Sequence, residues 1–379
     1  MPLFNEHHPV PDPCKFPAKG TIVVSLEDAF ARNLPVTSIE YNPPPVSDPR
    51  KQDLEYWKTL QTPDMEDEKI LRQLRGKLTM LRLCHERNRG FVSLTDSAAG
   101  IRRLHNLTLI RFFSDAELTH RWFSQPPIVW EPRRVILHVT RNHDLDWLRR
   151  YLAQLGRQGF GNLLLISGDP LKGMKLPTVT GERAISASSK EARSLRLKSS
   201  VDLLKFVADF ENSFFLGAGH NPFLKASAGQ RHLQRKCEAG SKFFITQPVS
   251  YYAECWQAMS DLKSFCEAQR IEQPFILGVF NYSVPCNALG YRAETFEKRR
   301  AFWKKLFGFV PQGVRADYDR GLDGNEILAR SINKLRRMGY FHFDVMNAEK
   351  RGWRVIRDEQ RLLHESDRLA GVFDSASLW

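Results

Sequence analysis

Eight short apolar runs, separated by segments with helical periodicity, constrain the fold of this 379-residue chain more than any other feature. The runs are rich in β-branched and aromatic residues, and most are apolar on both faces, as buried parallel strands are. They lie at residues 36–41, 90–95, 134–140, 162–167, 213–219, 242–247, 275–280 and 340–346. Eight strands that alternate with helices predict an α/β fold of the (β/α)8 TIM-barrel class.

Residues 142–156 illustrate the helical segments, because their leucines recur every three or four positions and fall on one face. Asn142 or Asp144 is available as the cap of this helix, and Gly156 is expected to end it. Ser200 is expected to cap the helix after the fourth strand.

The domain organisation follows from where this rhythm begins and where it is interrupted. Residues 1–35 are rich in proline and polar residues and are expected to form an irregular N-terminal arm. The barrel then takes residues 36–379, with an insertion at 171–196 that holds six Lys or Arg against two Glu. That insertion is either a solvated surface loop or an active-site lid that binds anions.

Composition excludes several classes of function. The chain has no apolar run near the roughly 20 residues that cross a bilayer, and its first residues lack the layout of a signal peptide. We therefore expect a cytoplasmic protein without a membrane partner. The six cysteines form no metal-binding or disulfide pattern, so no metal site is expected. The net charge of +13 alone would suit a nucleic-acid binder, but no nucleic-acid-binding motif accompanies it.

Polar residues gather at the ends of the predicted strands, where a TIM barrel carries its chemistry. Most of them have an ordinary structural interpretation as a turn former, a cap or a buried core histidine. Glu40 is the exception, because a carboxylate at the inner end of an apolar strand is costly to desolvate unless it is paired or used. The residues in question are Glu40, Thr95, Asp96, His138, Thr140, Asp169, His220 and Gln247.

Six motifs, in order and at compatible spacing from about residue 36 to 347, resemble those of the methylenetetrahydrofolate reductase family. They are SIEYNPPP, FVSLT, LHVT, GFGNLLLISGDP, RKCEAGSKFFITQ and GYFHFDVMN. One such motif would be weak evidence, whereas six in sequence specify the fold.

The resemblance implies a TIM-barrel flavoprotein of one-carbon metabolism that contains FAD. In that family NADH or NADPH reduces the flavin, and 5,10-methylenetetrahydrofolate is then reduced to 5-methyltetrahydrofolate, which feeds methionine biosynthesis. Because both substrates use the same flavin face in turn, ping-pong kinetics are expected. The sequence does not specify NADH or NADPH, the direction, or whether the chain forms a homo-oligomer.

The resemblance also implies roles for individual residues. Glu40 falls on the general acid that helps to open the methylene ring of the folate, and Asp169 falls on the aspartate beside flavin and pterin. Gln247 falls on the glutamine that hydrogen-bonds the folate ring. The remaining FAD-contacting positions are Thr95, His138, Ala218, Arg235 and Lys236, together with Asp169.

The sequence departs from the family mainly where FAD is held. Ser167 stands where an arginine is usual, Gly219 where an aromatic residue is common, and Gly229 and His232 where Asp and Asn usually help to hold FAD. An alternative function is therefore a non-redox folate-binding or methyl-transfer accessory protein on the same barrel. The two functions differ in whether the protein binds FAD and is reduced by a nicotinamide nucleotide.

Overall fold

A computed structural model describes residues 25–82, 84–85, 90–96, 102–168, 175–176, 185–186, 197–210, 214–224, 226–280, 313, 317 and 324–346. Within this part of the chain, no helix is long and apolar enough to cross a membrane.

Eight parallel strands close into a barrel, which confirms the predicted TIM-barrel class. The barrel strands are β1 (Thr37–Tyr41), β2 (Phe91–Leu94), β3 (Val135–Thr140), β4 (Asn162–Ile166), β7 (Phe215–His220), β8 (Phe243–Thr246), β9 (Phe275–Phe280) and β10 (Phe343–Met346), whereas β5 (Lys175–Leu176) and β6 (Ile185–Ser186) form a separate pair. The order around the barrel is β1-β10-β9-β8-β7-β4-β3-β2, so barrel strands that follow one another along the chain are paired, and the last strand pairs with the first. All eight predicted strands are confirmed.

Helices of the described chain surround the barrel or close one end. They are α1 (Leu26–Ala31), α2 (Leu54–Thr59), α3 (Met65–Arg82), α4 (Asn106–Ser114), α5 (Ala116–Phe123), α6 (Leu145–Arg157), α7 (Ser200–Ala208), α8 (Ala226–Glu238), α9 (Ala253–Gln269) and α10 (Gly324–Arg337). Short 3-10 turns lie at Pro49–Gln52 and Pro132–Arg134.

Alternation along the strands divides the apolar residues into two cores. One face of each strand packs against the surrounding helices, as Leu137 and Val139 of β3 do. The other face fills the barrel interior with a smaller cluster that includes Ile136, Leu164 and Phe243. The parity of a residue within its strand therefore decides whether its side chain can reach the interior, where the site lies.

Helix α1 closes the amino-terminal end of the barrel, within the arm that was expected to be irregular. Ser25 caps this helix through a reciprocal bond with Asp28. The Phe30 ring lies 6.1 Å from that of Phe215 and 5.0 Å from that of His342, measured between centroids. Residues 26–31 thus differ from the sequence prediction because a capping box and an apolar face find a partner in the barrel floor.

Two helix boundaries differ from the sequence predictions, and part of the basic insertion is described by the structure. Asp144, not Asn142, caps α6, accepting from the Trp147 amide at 2.7 Å, and the helix passes through Gly156 to Arg157. Ser199, one residue before the expected Ser200, caps α7. Within 171–196 the structure describes a two-residue antiparallel pair, β5 (Lys175–Leu176) with β6 (Ile185–Ser186). The rest of that insertion lies outside the described residues.

Candidate active site

The carboxyl ends of the eight strands meet at one mouth of the barrel, and polar residues of the inward parity lie there and just beneath it. Glu40 follows Ser38 on the inner face of β1, because the intervening Ile39 packs against the helical layer. The same parity turns Ser93 of β2 and His138 of β3 inward. In the β1–β2 ladder Glu40 lies directly opposite Ser93.

Glu40 is half-buried, and its carboxylate is held by a short polar chain. The Asn42 side-chain amide donates to Glu40 Oε1 at 3.1 Å. The Thr95 hydroxyl donates to the carbonyl oxygen of the same Asn42 side chain at 2.9 Å. Lys77 Nζ lies 3.0 Å from the Asn42 backbone oxygen and 4.4 Å from the centroid of the Tyr41 ring. The exit of β1 is therefore fixed by side chains from the neighbouring strand and helix, and the carboxylate has a defined direction.

His138 of β3 is more buried than Glu40 and lies next to β2, the strand that precedes Thr95. Its Nε2 is 2.6 Å from the Ser93 hydroxyl, inside the barrel. Burial lowers the pKa of His138 to about 4, although the Asp96 charge acts in the opposite direction. The imidazole is therefore neutral at physiological pH and can serve as a hydrogen-bonding group without adding charge to the interior.

Asp96, directly after β2, organises the neighbouring part of the mouth. One of its oxygens accepts from the Thr140 amide at 3.0 Å, from the Thr140 hydroxyl at 2.9 Å and from His143 Nε2 at 2.7 Å. Burial alone would raise the pKa of Asp96, but the adjacent His143 and the hydrogen bonds hold it well below its ordinary value. The His143 ring in turn stacks on the Trp147 indole, with centroids 3.8 Å apart. This network makes the β2–β3 rim rigid.

Lys236 is the unusual group on the β7 side of the mouth. Its side chain comes from α8, is 6% exposed, and Nζ donates to the Gly219 carbonyl at 2.5 Å. The last paired residues of the β4–β7 ladder are Leu165 and Ala218, and Gly219 lies one residue beyond them. The Lys236 ammonium therefore donates to a carbonyl that a backbone amide of the neighbouring strand would bond if the ladder continued. Burial lowers the pKa of Lys236 to about 8. Burial and the Lys236 charge also lower the pKa of His220 to about 3.

The remaining predicted residues occupy different environments. Gln247 follows β8 at the mouth; its side chain is exposed, and its amide donates to the His220 carbonyl at 2.8 Å. Arg235 is exposed on α8. Ala218 is fully buried in the layer between sheet and helices, so its methyl group points away from the interior. Asp169 lies outside the described residues.

Sequence reasoning missed several members of the site. Asn42 was not among the predicted site residues, because its bridge between Glu40 and Thr95 depends on two separate strands. Ser38 and Asp344 are hydrogen-bonded across the closure of the barrel, 306 residues apart in the chain. Strand parity is the signal that would have selected both as inward-facing residues.

A buried lysine whose described acceptor is a carbonyl oxygen fits an anionic ligand better than a neutral one, because a phosphate would offset its desolvation. A Cβ added at Gly219 would lie 3.1 Å from Ile166 Cγ2, closer than ordinary van der Waals contact, so a larger residue there would have to displace the Ile166 side chain. Gly168 has φ +67°, and a side chain there would lie 2.8 Å from Asn142 Nδ2. The mouth therefore combines a glycine-bordered wall with a buried cation.

These features define the class: a parallel (β/α)8 barrel whose carboxyl mouth bears a fixed carboxylate, a neutral histidine and a buried cation. Residues 78–298, more than half of the chain, match the family model described as methylenetetrahydrofolate reductase. The chain belongs to the methylenetetrahydrofolate reductase family. The match includes every predicted site residue except Glu40, which precedes it.

Comparison with solved structures found matches of low sequence identity. An uncharacterised protein from Clostridium thermocellum that binds two copies of 5-methyl-5,6,7,8-tetrahydrofolic acid is 14% identical, with a TM-score of 0.49, covering 93% of this chain and 99% of that one. A phosphonopyruvate hydrolase in complex with oxalate and Mg²⁺ is 11% identical, with a TM-score of 0.38, covering 90% and 86%. A search of curated proteins gave no match.

Proposed function

We propose that this protein is a methylenetetrahydrofolate reductase-like flavoenzyme, which converts 5,10-methylenetetrahydrofolate and 5-methyltetrahydrofolate into one another with FAD and NADH or NADPH. Membership of the family supports the reaction class. The observation that carries the proposal is Glu40, a half-buried carboxyl at the inner end of β1 that Asn42 and Thr95 hold in one direction.

Glu40 would act as the general acid. The five-membered ring of the folate must open before the methylene carbon can accept a hydride, and protonation of the leaving ring nitrogen makes that opening easier. A positioned carboxylic acid contributes about 10²- to 10⁴-fold to such a step.

FAD, when bound, would take a hydride from the nicotinamide and deliver it to the folate. Lys236 would contact its phosphates together with the exposed Arg235 of the same helix. Thr95 and His138 would border the flavin from the β2 and β3 side. Ala218 could contribute only through its backbone, since its side chain is buried in the outer core.

The folate would bind at the same mouth. Gln247 has an exposed side chain there and a backbone amide fixed by His220, so its position suits hydrogen bonding to a pterin ring. Asp169 is proposed as its partner and as the charge that tunes the flavin, on the strength of the family motif alone.

The non-redox folate-binding protein remains the second candidate, and a specific observation favours it. Gly229 and His232 of α8 replace residues that could accept hydrogen bonds from FAD. Burial, and to a smaller extent the charges of Lys236 and Arg235, lower the pKa of His232. Its imidazole is therefore less able to supply a positive charge for the FAD phosphates. FAD would then be held mainly by Lys236 and the β2–β3 rim.

Titration of the purified protein with FAD and with 5-methyltetrahydrofolate, in separate experiments, distinguishes the two candidates. The enzyme is expected to bind both, and anaerobic NADH or NADPH should bleach the flavin absorbance. Binding of the folate together with a complete failure to bind FAD would contradict the redox function and favour the accessory protein.

A further inference from the structure

A cavity of about 360 Å³ lies outside the barrel interior, between α8, α9 and the segment that follows β7. His220, the last residue of β7, lines this cavity. Leu216 and Ala218 of the same strand pack in the outer core, so strand alternation places the His220 side chain on that outer side as well. Strand β7 therefore separates the cavity from the interior, where Glu40 and His138 lie.

His220 is a buried polar group that the described chain leaves without a hydrogen bond. The residue is 7% exposed, and neither of its ring nitrogens bonds to a described residue. Its ring makes T-shaped contacts with Phe244 and Phe275, with centroids 6.4 and 6.0 Å away. Burial lowers its pKa to about 3, so the imidazole is neutral and offers one donor and one acceptor. A buried group of this kind calls for a partner in the cavity that it lines.

Most of the cavity wall is apolar. Leu233 of α8 and Leu262 and Phe265 of α9 line it. Phe223 and Leu224 border it from the segment after β7, and both are large apolar side chains that remain more than a third exposed. Sites for small molecules have volumes of about 300–1,000 Å³ and combine apolar walls with a few polar groups. This cavity has the size and the lining for a small ligand with an apolar body.

The charged groups that line the cavity are acidic. They are Glu254 and Asp261, both exposed on α9. Each has an ordinary structural role, since Glu254 lies in the first turn of the helix and Asp261 accepts from the Gln257 amide at 2.8 Å. No Lys or Arg accompanies them among the described lining residues, although the chain carries a net charge of +13. The outer edge of the cavity therefore favours a cation and disfavours a phosphate or a carboxylate.

The deep end has the opposite preference. The charge of Lys236, which bonds to β7 through the Gly219 carbonyl, acts on His220 from behind the cavity. A cationic group of a ligand is thus disfavoured beside His220, whereas a hydroxyl or carbonyl oxygen can bond to its imidazole. The two ends of the cavity call for different groups on one molecule.

We propose that this cavity is a binding site for a small amine that carries a hydroxyl group at its other end. The hydroxyl bonds to His220, the apolar body packs between α8 and α9, and the ammonium group lies beside Glu254 and Asp261. The site lies on the outer side of β7, and the inference does not depend on the proposed function.

The test uses the full chain without FAD, and tyramine as the probe, because tyramine joins a phenol to an ammonium group through an apolar body. In NMR spectra of protein labelled with ¹³C in the histidine rings, the His220 signal is identified by its loss in His220→Phe. Tyramine should shift this signal. Phenethylamine, which lacks the hydroxyl, should bind about three- to tenfold more weakly. The acid 3-(4-hydroxyphenyl)propionate, which reverses the charge, should bind at least about tenfold more weakly.

Variants assign the two ends of the probe. The double variant Glu254→Gln with Asp261→Asn should bind tyramine about three- to tenfold more weakly, whereas Glu267→Gln, at an exposed position of α9 outside the cavity lining, should bind it as the wild type does. In His220→Phe, calorimetry should show equal affinities for tyramine and phenethylamine. His220→Leu replaces it should the phenylalanine variant not fold.

Three results would overturn the proposal. The first is a His220 signal that none of the three probes shifts at about 10 mM, well above a millimolar dissociation constant. The second is an equal affinity of the wild type for tyramine and for the propionate. The third is tyramine binding that survives in folded Ala258→Trp, because Ala258 lines the cavity and a tryptophan there would fill it.

Discussion

Lys236 offers a quantitative test of the electrostatics of the mouth, because burying its charged side chain lowers the free energy of unfolding by an amount that follows from its pKa shift. The fall of its pKa from 10.5 to about 8 on folding corresponds to about 3 kcal/mol at pH 7, taking about 1.4 kcal/mol per pH unit. Lys236→Met also loses the bond from Nζ to the Gly219 carbonyl, which offsets about 1 kcal/mol of the expected gain. Lys236→Met should therefore raise the free energy of unfolding of FAD-free protein by about 2 kcal/mol at pH 7.

The difference in stability between the wild type and Lys236→Met should also depend on pH. The folded-state pKa lies below the unfolded one, so the unfolded chain binds more protons between pH 8 and 10.5, and the wild type gains stability as the pH rises through this window. The cost at pH 9 is about 2 kcal/mol, so the wild type should gain about 1 kcal/mol on the variant between pH 7 and 9.

Urea denaturation at both pH values measures these differences, and Lys242→Met, at an exposed position, is the control. The same Lys236→Met protein should bind FAD at least about tenfold more weakly, because a charge-assisted contact to phosphate is lost. A variant that is less stable than the wild type at pH 7, or whose stability follows pH in parallel with it, would refute the reasoning.

Two further predictions concern the frame that holds the site. Lys51 is 1% exposed and lies 2.7 Å from Asp67, so Lys51→Met should lower the free energy of unfolding by about 3–5 kcal/mol, measured in urea. Lys58→Met at the more exposed pair with Asp115 should cost less than about 1 kcal/mol, and equal effects would contradict the assignment. A Cβ on Gly217 would lie 2.3 Å from the Phe243 ring, so Gly217→Ala should cost about 1–3 kcal/mol in thermal and urea unfolding. An added Cβ at Gly161 meets no atom within 4 Å, so Gly161→Ala should leave the free energy of unfolding nearly unchanged. An equally small effect of Gly217→Ala would contradict the prediction and show that the Phe243 ring can move aside.

The strands were predictable because a buried parallel strand leaves a signal in its own few residues. Runs such as FILGVF coincide with the observed strand Phe275–Phe280. The caps were less certain, since Ser199 and Ser200 are both serines and only the backbone geometry at Ser199 decides between them. Helix α1 was missed because its six residues are too few to show a period among the prolines around them.

The site was predictable only in part, because several of its contacts are set by the closure of the barrel. Glu40 could be selected from its position at the end of an apolar run. The Ser38 and Asp344 pair could not, because the two residues meet only when the last strand closes onto the first. The orientation of Ala218 toward the outer core is a matter of strand parity, which motif matching ignores. The low exposure of Lys236 depends on how α8 packs on β7, which no local pattern specifies.

The most direct test of the proposed function is the effect of Glu40→Gln on the two half-reactions of FAD-loaded protein, followed anaerobically by flavin absorbance. Bleaching by NADH or NADPH should proceed at the wild-type rate, whereas recovery of absorbance on addition of 5,10-methylenetetrahydrofolate should slow by about 10²- to 10⁴-fold. Glu117→Gln, at an exposed position of α5, should leave both rates unchanged. Equal loss in both half-reactions, or wild-type recovery with the folate, would show that Glu40 is not the general acid.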